Sequence, residues 1–126
     1  MVKQTKQDSI LFRISRPYKQ SKTMNAQKVV LPALNGKITI LPDRAPIMVA
    51  LTNGLIEILD DKNNVIERWF VKGGIADVAR NRCAVSSEKV IAYDKYNTES
   101  VEVKIEQARY DEDKAFYEVV KSHLMA

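Results

Sequence analysis

Gly36-Lys37-Ile38-Thr39-Ile40-Leu41-Pro42-Asp43-Arg44-Ala45-Pro46 joins a turn signal, an alternating run and a proline-fenced corner within eleven residues. It opens at an Asn-Gly pair, Asn35-Gly36, which supplies two positive-φ positions for a tight hairpin turn. Apolar and polar residues then alternate as in a half-buried strand. Pro42 and Pro46 fix φ and lack N–H donors, so they fence a short rigid loop instead of extending a sheet. The local expectation is a hairpin feeding a stiff corner that carries Asp43 and Arg44.

On either side of this stretch, turn signals recur about every 8–12 residues between 15 and 95, the spacing of a sandwich or barrel. Upstream, Ser9 to Ser15 alternates with Ile10, Phe12 and Ile14 on one face, and Arg16-Pro17 ends it. Tyr18 to Lys22 reads as a short strand or a loop, and Ala26 to Leu34 as a strand in which Pro32 marks an edge or bulge. Downstream, Ile47 to Leu51 is nearly continuously apolar, which predicts a strand covered on both faces. Leu55 to Leu59, Val65 to Lys72 with the single tryptophan Trp69, Ile75 to Val78, Cys83 to Val85 and Val90 to Tyr93 complete the series. Asp60-Asp61-Lys62-Asn63-Asn64 is a plain turn, and Gly73-Gly74 permits a bend or bulge.

From Thr98 onward there is no Gly or Pro. Asn97 or Thr98 can cap a helix whose first turn carries Glu99 and Glu102. Val101, Ile105, Ala108, Ala115, Phe116 and Val119 fall near one helical stripe. One main helix, kinked around Tyr110–Asp113, is preferred over two. The expected organisation is a mainly β protein: a β-sandwich domain of two packed antiparallel sheets over 1–96, then a short helical segment over 97–126.

Composition bounds the function. The 126 residues with 45% hydrophobic content suit one folded domain with a small appendage. No apolar run reaches the roughly 18 residues of a membrane span, and no secretory leader is recognisable. With one cysteine no internal disulfide forms, which fits a reducing, cytosolic-side setting. The net charge of +4 is uneven: residues 1–28 hold seven Lys/Arg against Asp8 alone, whereas 97–126 is acidic. Phe12, Arg13, Arg16, Tyr18 and Lys19 are the single local match to a nucleic-acid surface. A small basic barrel binding nucleic acid is therefore the alternative reading, with a solvated lysine-rich edge preferred.

Catalysis finds little to work with. Cys83 and His123 are the only thiol and the only imidazole, and His123 is expected to face solvent in the last helical turn. No Cys/His/carboxylate spacing suits zinc. Asp60-Asp61 point to opposite sides of a turn, and Gly73-Gly74 lacks the Lys-Ser/Thr of a phosphate loop. Neither catalytic residues, a metal nor a cofactor is expected.

Three blocks together resemble the epsilon subunit of the rotary F-type ATP synthase, the counterpart of the mitochondrial delta subunit. The family's Gly-x-apolar-Gly-apolar-apolar-Pro-x-His-Ala-Pro stands here as Gly36 to Pro46. Gly54-Leu55-Ile56 matches its Gly-apolar strand, and Phe70-Val71-Lys72-Gly73-Gly74-Ile75-Ala76-Asp77-Val78 its aromatic-x-x-Gly-Gly block. The resemblance spans about residues 10–110 and implies a non-catalytic rotor subunit. It implies docking on the gamma subunit and on the loops of the c-ring, with the catalytic head reached indirectly. It further implies a peripheral place on the cytoplasmic face of the inner membrane (bacterial favoured), without direct insertion. Asn35, Gly36, Lys37, Pro42, Asp43, Arg44, Ala45 and Pro46 would form the contact end.

The departures matter. Thr39 replaces the family's second Gly, Arg44 replaces its His, and Lys37 stands where relatives often carry an acid. Ile105-Glu106-Gln107-Ala108-Arg109-Tyr110 resembles a box that binds ATP in some members, but Glu106 replaces its Asp and Tyr110 its Ala. A helix face packed on the sandwich is preferred to ATP binding through Ile105, Glu106 and Arg109. Residues 97–126 are shorter than the family's two-helix hairpin, which implies a reduced or absent inhibitory role.

Overall fold

The structure is a computed structural model that describes residues 9–17, 19–93, 105 and 111–125. Among the described residues ten strands precede the helix α1: β1 (Ile10–Ser15), β2 (Lys22–Ala26), β3 (Lys28–Ala33), β4 (Gly36–Ile40), β5 (Ile47–Leu51), β6 (Gly54–Leu59), β7 (Val65–Val71), β8 (Gly74–Ala79), β9 (Arg82–Ser86), β10 (Val90–Ala92) and α1 (Asp111–Met125). Alternation decides their faces. In β1, Ile10, Phe12 and Ile14 are fully buried while Leu11 and Arg13 face out.

Strand pairing runs β10-β7-β6-β3-β5-β8-β9-β1-β2, with β4 added to β3. The junction between β3 and β5 is narrow. It consists of one register pair, Ala33 with Leu51, reinforced by the Thr52 N–H donating to the Pro32 carbonyl at 2.8 Å. The chain folds over at this junction into two five-strand sheets, β2-β1-β9-β8-β5 (the first sheet) and β4-β3-β6-β7-β10 (the second). Their facing sides form one cluster that takes Phe12 and Val78 from the first and Leu31, Ile56 and Trp69 from the second. Phe12 stacks on Trp69 across the interface, with ring centroids 5.7 Å apart. The expected sandwich is present, with one qualification: β1 and β9 pair in parallel, and every other pair is antiparallel.

Several local expectations are corrected. Ala33 pairs with Gly36, so the hairpin tip is Leu34-Asn35. Positive φ occurs at Gly36 (120°) but not at Asn35, so the turn is not the mirror-image type that Asn-Gly suggested. The second strand is Lys22–Ala26, ending where the third was expected to start. β5 is covered on one face only, since Met48 is 67% exposed. Burial on both faces is found instead in the second half of β7, where Trp69, Phe70 and Val71 are buried consecutively and Lys72 follows them inside, while Val65 and Ile66 at its start are exposed.

The reason is α1. Phe70 points away from the sandwich interior and meets Phe116, Tyr117 and Val120 in a second, smaller cluster. The helical stripe is therefore Phe116, Tyr117 and Val120, with Leu124 partly buried beside it, and Ala115 is exposed. Ile105 is helical and packs against this cluster, but the proposed kink and the choice between one helix and two fall on residues outside those described.

Gly74 has φ of 122°, and a Cβ built there would lie 2.2 Å from the Ser86 carbonyl oxygen. Gly36 shares the unusual φ but a Cβ there would meet nothing within 4 Å. Gly36→Ala should therefore lose only the backbone strain, about 1–3 kcal/mol, and Gly74→Ala more than about 3 kcal/mol. Urea unfolding of both variants checks the order; equal losses would contradict it.

Candidate docking site

The corner after β4 is built by its neighbours. Asp43 adopts φ of 68°, a left-handed conformation that Asp tolerates better than most residues. Its N–H donates to Asn81 Oδ1 at 2.6 Å, and its carboxylate pairs with the Arg80 guanidinium. That hydrogen bond holds the already high pKa of Arg80 higher still. The Asn81 carbonyl in turn accepts from the Leu11 N–H at 2.9 Å, tying the corner to β1. Arg44 is half-buried with its Nε covered and lacking an acceptor, while Leu41 beside it is 49% exposed. Pro42, Ala45 and Pro46 leave the corner without much freedom.

The residues expected to form one contact end do not come together. Asn35, Gly36 and Lys37 sit at the end of β4 where Gly36 opposes Ala33. Pro42, Asp43, Arg44, Ala45 and Pro46 follow the other end, where Ile40 opposes Val29. The hairpin tip shares its end of the sandwich with the Thr52-Asn53 and Lys72-Gly73 turns. The corner shares its end with Arg80-Asn81 and the Asp60–Asn64 turn. The motif thus lies at two opposite ends of the sandwich. Thr39 lies opposite Val30 in a regular strand, as expected of a residue replacing a glycine without a bulge.

The two sheets differ on their outer faces. The second sheet is capped by α1, and polar contacts fix it there. Lys72, with a side chain only 7% exposed, donates to Asp113 Oδ1 at 2.6 Å and lies 3.5 Å from Glu88. The hydrogen bond from Lys72 holds the Asp113 carboxyl below its usual range. Lys89 Nζ donates to the Tyr117 hydroxyl at 3.0 Å and lies 5.0 Å from the centre of that ring. The sequence reading missed this arrangement; a lysine directly following Trp69-Phe70-Val71 was its one visible signal. The first sheet, by contrast, presents Met48, Ile75 and Leu11 on its outer side, 67%, 50% and 47% exposed. Met48 opposes Asp77 while Ile75 opposes Ala50 on the same strand pair, so the two apolar side chains are diagonal neighbours.

The residues weighed for chemistry go elsewhere. Cys83 is buried in the main core, and burial pushes its thiol up to about 12, so no thiolate is available. Asp60 accepts from the Lys62 and Asn64 N–H groups at 2.9 Å, and the Asn64 bond leads in lowering its pKa; it builds a turn. Phe12 is fully buried, which removes the aromatic from the nucleic-acid pattern, and Tyr18 lies outside the described residues. Of the ATP-type box, Ile105 packs against the Phe70 cluster, and Glu106 and Arg109 lie outside the described residues. Among the described residues no group of three or more His, Cys, Asp or Glu could hold a metal ion, and no helix is long and apolar enough to cross a membrane.

Residues 9–92 match the family described as ATP synthase, Delta/Epsilon chain, beta-sandwich domain. The chain belongs to this ATP synthase delta/epsilon family. The ATP synthase epsilon chain of Rhodospirillum centenum is 31% identical over 121 residues, covering 93% of this chain and 83% of the relative. That of Gluconacetobacter diazotrophicus is 29% identical over 106 residues, 84% and 74% of the two chains. Among solved structures, a chain of the Euglena gracilis mitochondrial ATP synthase (OSCP/F1/c-ring) superposes with a TM-score of 0.69 at 13% identity, over 90% of this chain and 75% of that one. A chain of the Tetrahymena thermophila central stalk/c-ring gives 0.62 at 12% identity, over 91% and 96%. These structural likenesses concern the fold; the family rests on the sequence match, which spans both the corner and the hairpin.

His123 is not solvent-facing as expected. Its ring lies 6.0 Å from that of Phe70, and burial followed by the charge of Lys37 lowers its pKa, with Glu57 opposing. A depressed pKa means the docked helix prefers neutral imidazole, so docking is fully stable above the ordinary value of about 6.5 and weakens as pH falls through the docked value. The Phe116 and Tyr117 ring resonances should therefore shift between pH 8 and 5 in step with His123, and His123→Phe should flatten that response. A His123 titration at or above 6.5 would contradict the placement.

Proposed function

We propose that the chain is a non-catalytic rotor subunit of a proton-translocating F-type ATP synthase. It couples rotation to ATP synthesis or hydrolysis by holding the gamma subunit and the c-ring in register. Family membership supports the assembly. The observation that carries the docking reading is the contrast between the outer faces, the second capped by α1 and the first bare with Met48, Ile75 and Leu11 exposed. An uncovered apolar face of this kind suits a partner that brings its own apolar surface.

Gamma is assigned to this outer face and to the corner at Asp43-Arg44. The c-ring loops are assigned to the opposite end, at Asn35-Gly36-Lys37, and the catalytic head is reached through gamma. Lys37 being basic, the ring loop should offer carboxylates or carbonyl oxygens. Arg44, a permanent cation, suits an acidic group on gamma. The protein itself would sit peripherally on the cytoplasmic face of the membrane, carried by its partners.

Met48→Lys with Ile75→Lys changes two exposed positions, so stability should move by less than about 1 kcal/mol while recovery of gamma with the tagged chain is lost. Lys37→Glu should leave gamma recovery intact and lower ATP-driven proton pumping by membrane vesicles containing the complex. Unchanged gamma recovery in the double variant would overturn the assignment of the first sheet's outer face, and unchanged pumping would overturn the assignment of the hairpin end.

A further inference from the structure

Among the described residues the outer face of the first sheet carries a single carboxylate, and it stands inside the apolar patch. Asp77 lies directly opposite Met48 on β5 and Ala84 on β9, with Ile75 and Ala79 two residues to either side along β8. It is exposed and makes no ion pair among the described residues. Asp43, Glu57, Glu88 and Asp113 each have a basic partner within the chain, and Asp60 is taken up by its own turn.

Two cations share the face, Arg13 on β1 and Arg82 on β9. Arg13 donates to Ser21 Oγ at 3.4 Å. Arg82 stands beside Leu11 and opposite Ala79, which makes it a diagonal neighbour of Asp77. Both arginines carry their charge at the end of a long stem that can lie along apolar surface and deliver the guanidinium to the rim of a covered face. The Asp77 side chain is too short for that. Its carboxylate stays beside Met48, wherever the edge of a partner falls.

We infer that Asp77 determines which segment of gamma this face accepts, by pairing with a Lys or Arg that gamma places beside Met48 and Ile75; the inference rests on the assignment of gamma to the face. A partner that covers Met48 and Ile75 takes water from Asp77 as well, and a dehydrated carboxylate without a cation is strongly unfavourable. A purely apolar surface is therefore rejected. A segment that brings a basic residue in register with the two apolar contacts is accepted, and the pair fixes that register.

The test first places the photo-crosslinker p-benzoylphenylalanine at Ile75, and separately at Met48, in the full chain expressed in cells. The adducts should map to a gamma segment that contains Lys or Arg. Release of the tagged full chain from the purified complex is then timed. Asp77→Ala should speed release at least about tenfold and Asp77→Lys more, while Asp77→Glu stays close to the parent chain. The urea midpoint of the isolated chain should not move in any of the three. Changing the mapped Lys or Arg of gamma to Glu should restore slow release to Asp77→Lys and not to Asp77→Ala. Adducts to gamma with release unchanged in Asp77→Ala overturn the inference and leave the gamma assignment intact. No gamma adduct from either position overturns the gamma assignment and the inference with it. Equal acceleration by Arg82→Ala and Asp77→Ala overturns the inference, because Arg82 would then supply the cation from within the chain. A lowered urea midpoint in Asp77→Ala also overturns it, by assigning Asp77 to the fold.

Discussion

The two sheets are held face to face by a layer of side chains, and the Phe12–Trp69 stack bridges it. Fully burying a large apolar side chain contributes roughly 1.5–3 kcal/mol, so this layer, rather than the single β3–β5 register pair, holds the fold closed. The narrow junction sets only where the chain turns from one sheet to the other. With the inner faces committed, the outer faces are left for other tasks: one takes the helix, and on the other no element packs among the described residues.

The strands were legible because their apolar period is two and their turns carry Gly, Asn and Asp at regular intervals. Ile10, Phe12 and Ile14 could be assigned to the core from alternation alone. The misreading of β5 and β7 has one cause. A continuous apolar run signals burial on both faces, but Met48 and Ala50 in β5 face outward without cover, whereas Phe70 in β7 is covered by a helix some forty positions later. Local pattern contains no information about which outer face a distant element will occupy. The turn at Asn35-Gly36 failed similarly: the dipeptide favours positive φ at both positions, and the Ala33–Gly36 register overrode that preference.

At the candidate site, the motif residues could be found in sequence but not their separation. Asn35 to Pro46 is contiguous, which suggested one surface. A five-residue strand rises about 3.3 Å per residue, enough to carry its two flanks to opposite ends of the sandwich. The contacts that fix α1 were less legible still. Lys72 becomes intelligible only when Asp113 and Glu88, forty-one and sixteen positions away, are brought to it. A lysine ammonium that is nearly dehydrated requires such partners, because an unpaired charge there would cost several kcal/mol.

The separation of the two ends bears on how a rotor subunit of this shape would work. β4 is hydrogen-bonded along its length to β3, and β3 is packed into the main core through Val29 and Leu31. The hairpin tip and the corner are therefore opposite ends of one supported strand. The corner is further pinned to β1 through Asn81. Such an element transmits force without changing shape, since any relative motion of its ends would break ladder hydrogen bonds and shear a close-packed interior. Coupling through this chain would then depend on rigidity and on the placement of its surfaces, and the helix, held by a small satellite cluster and a few polar contacts, is the part of the described structure with least binding it to the rest.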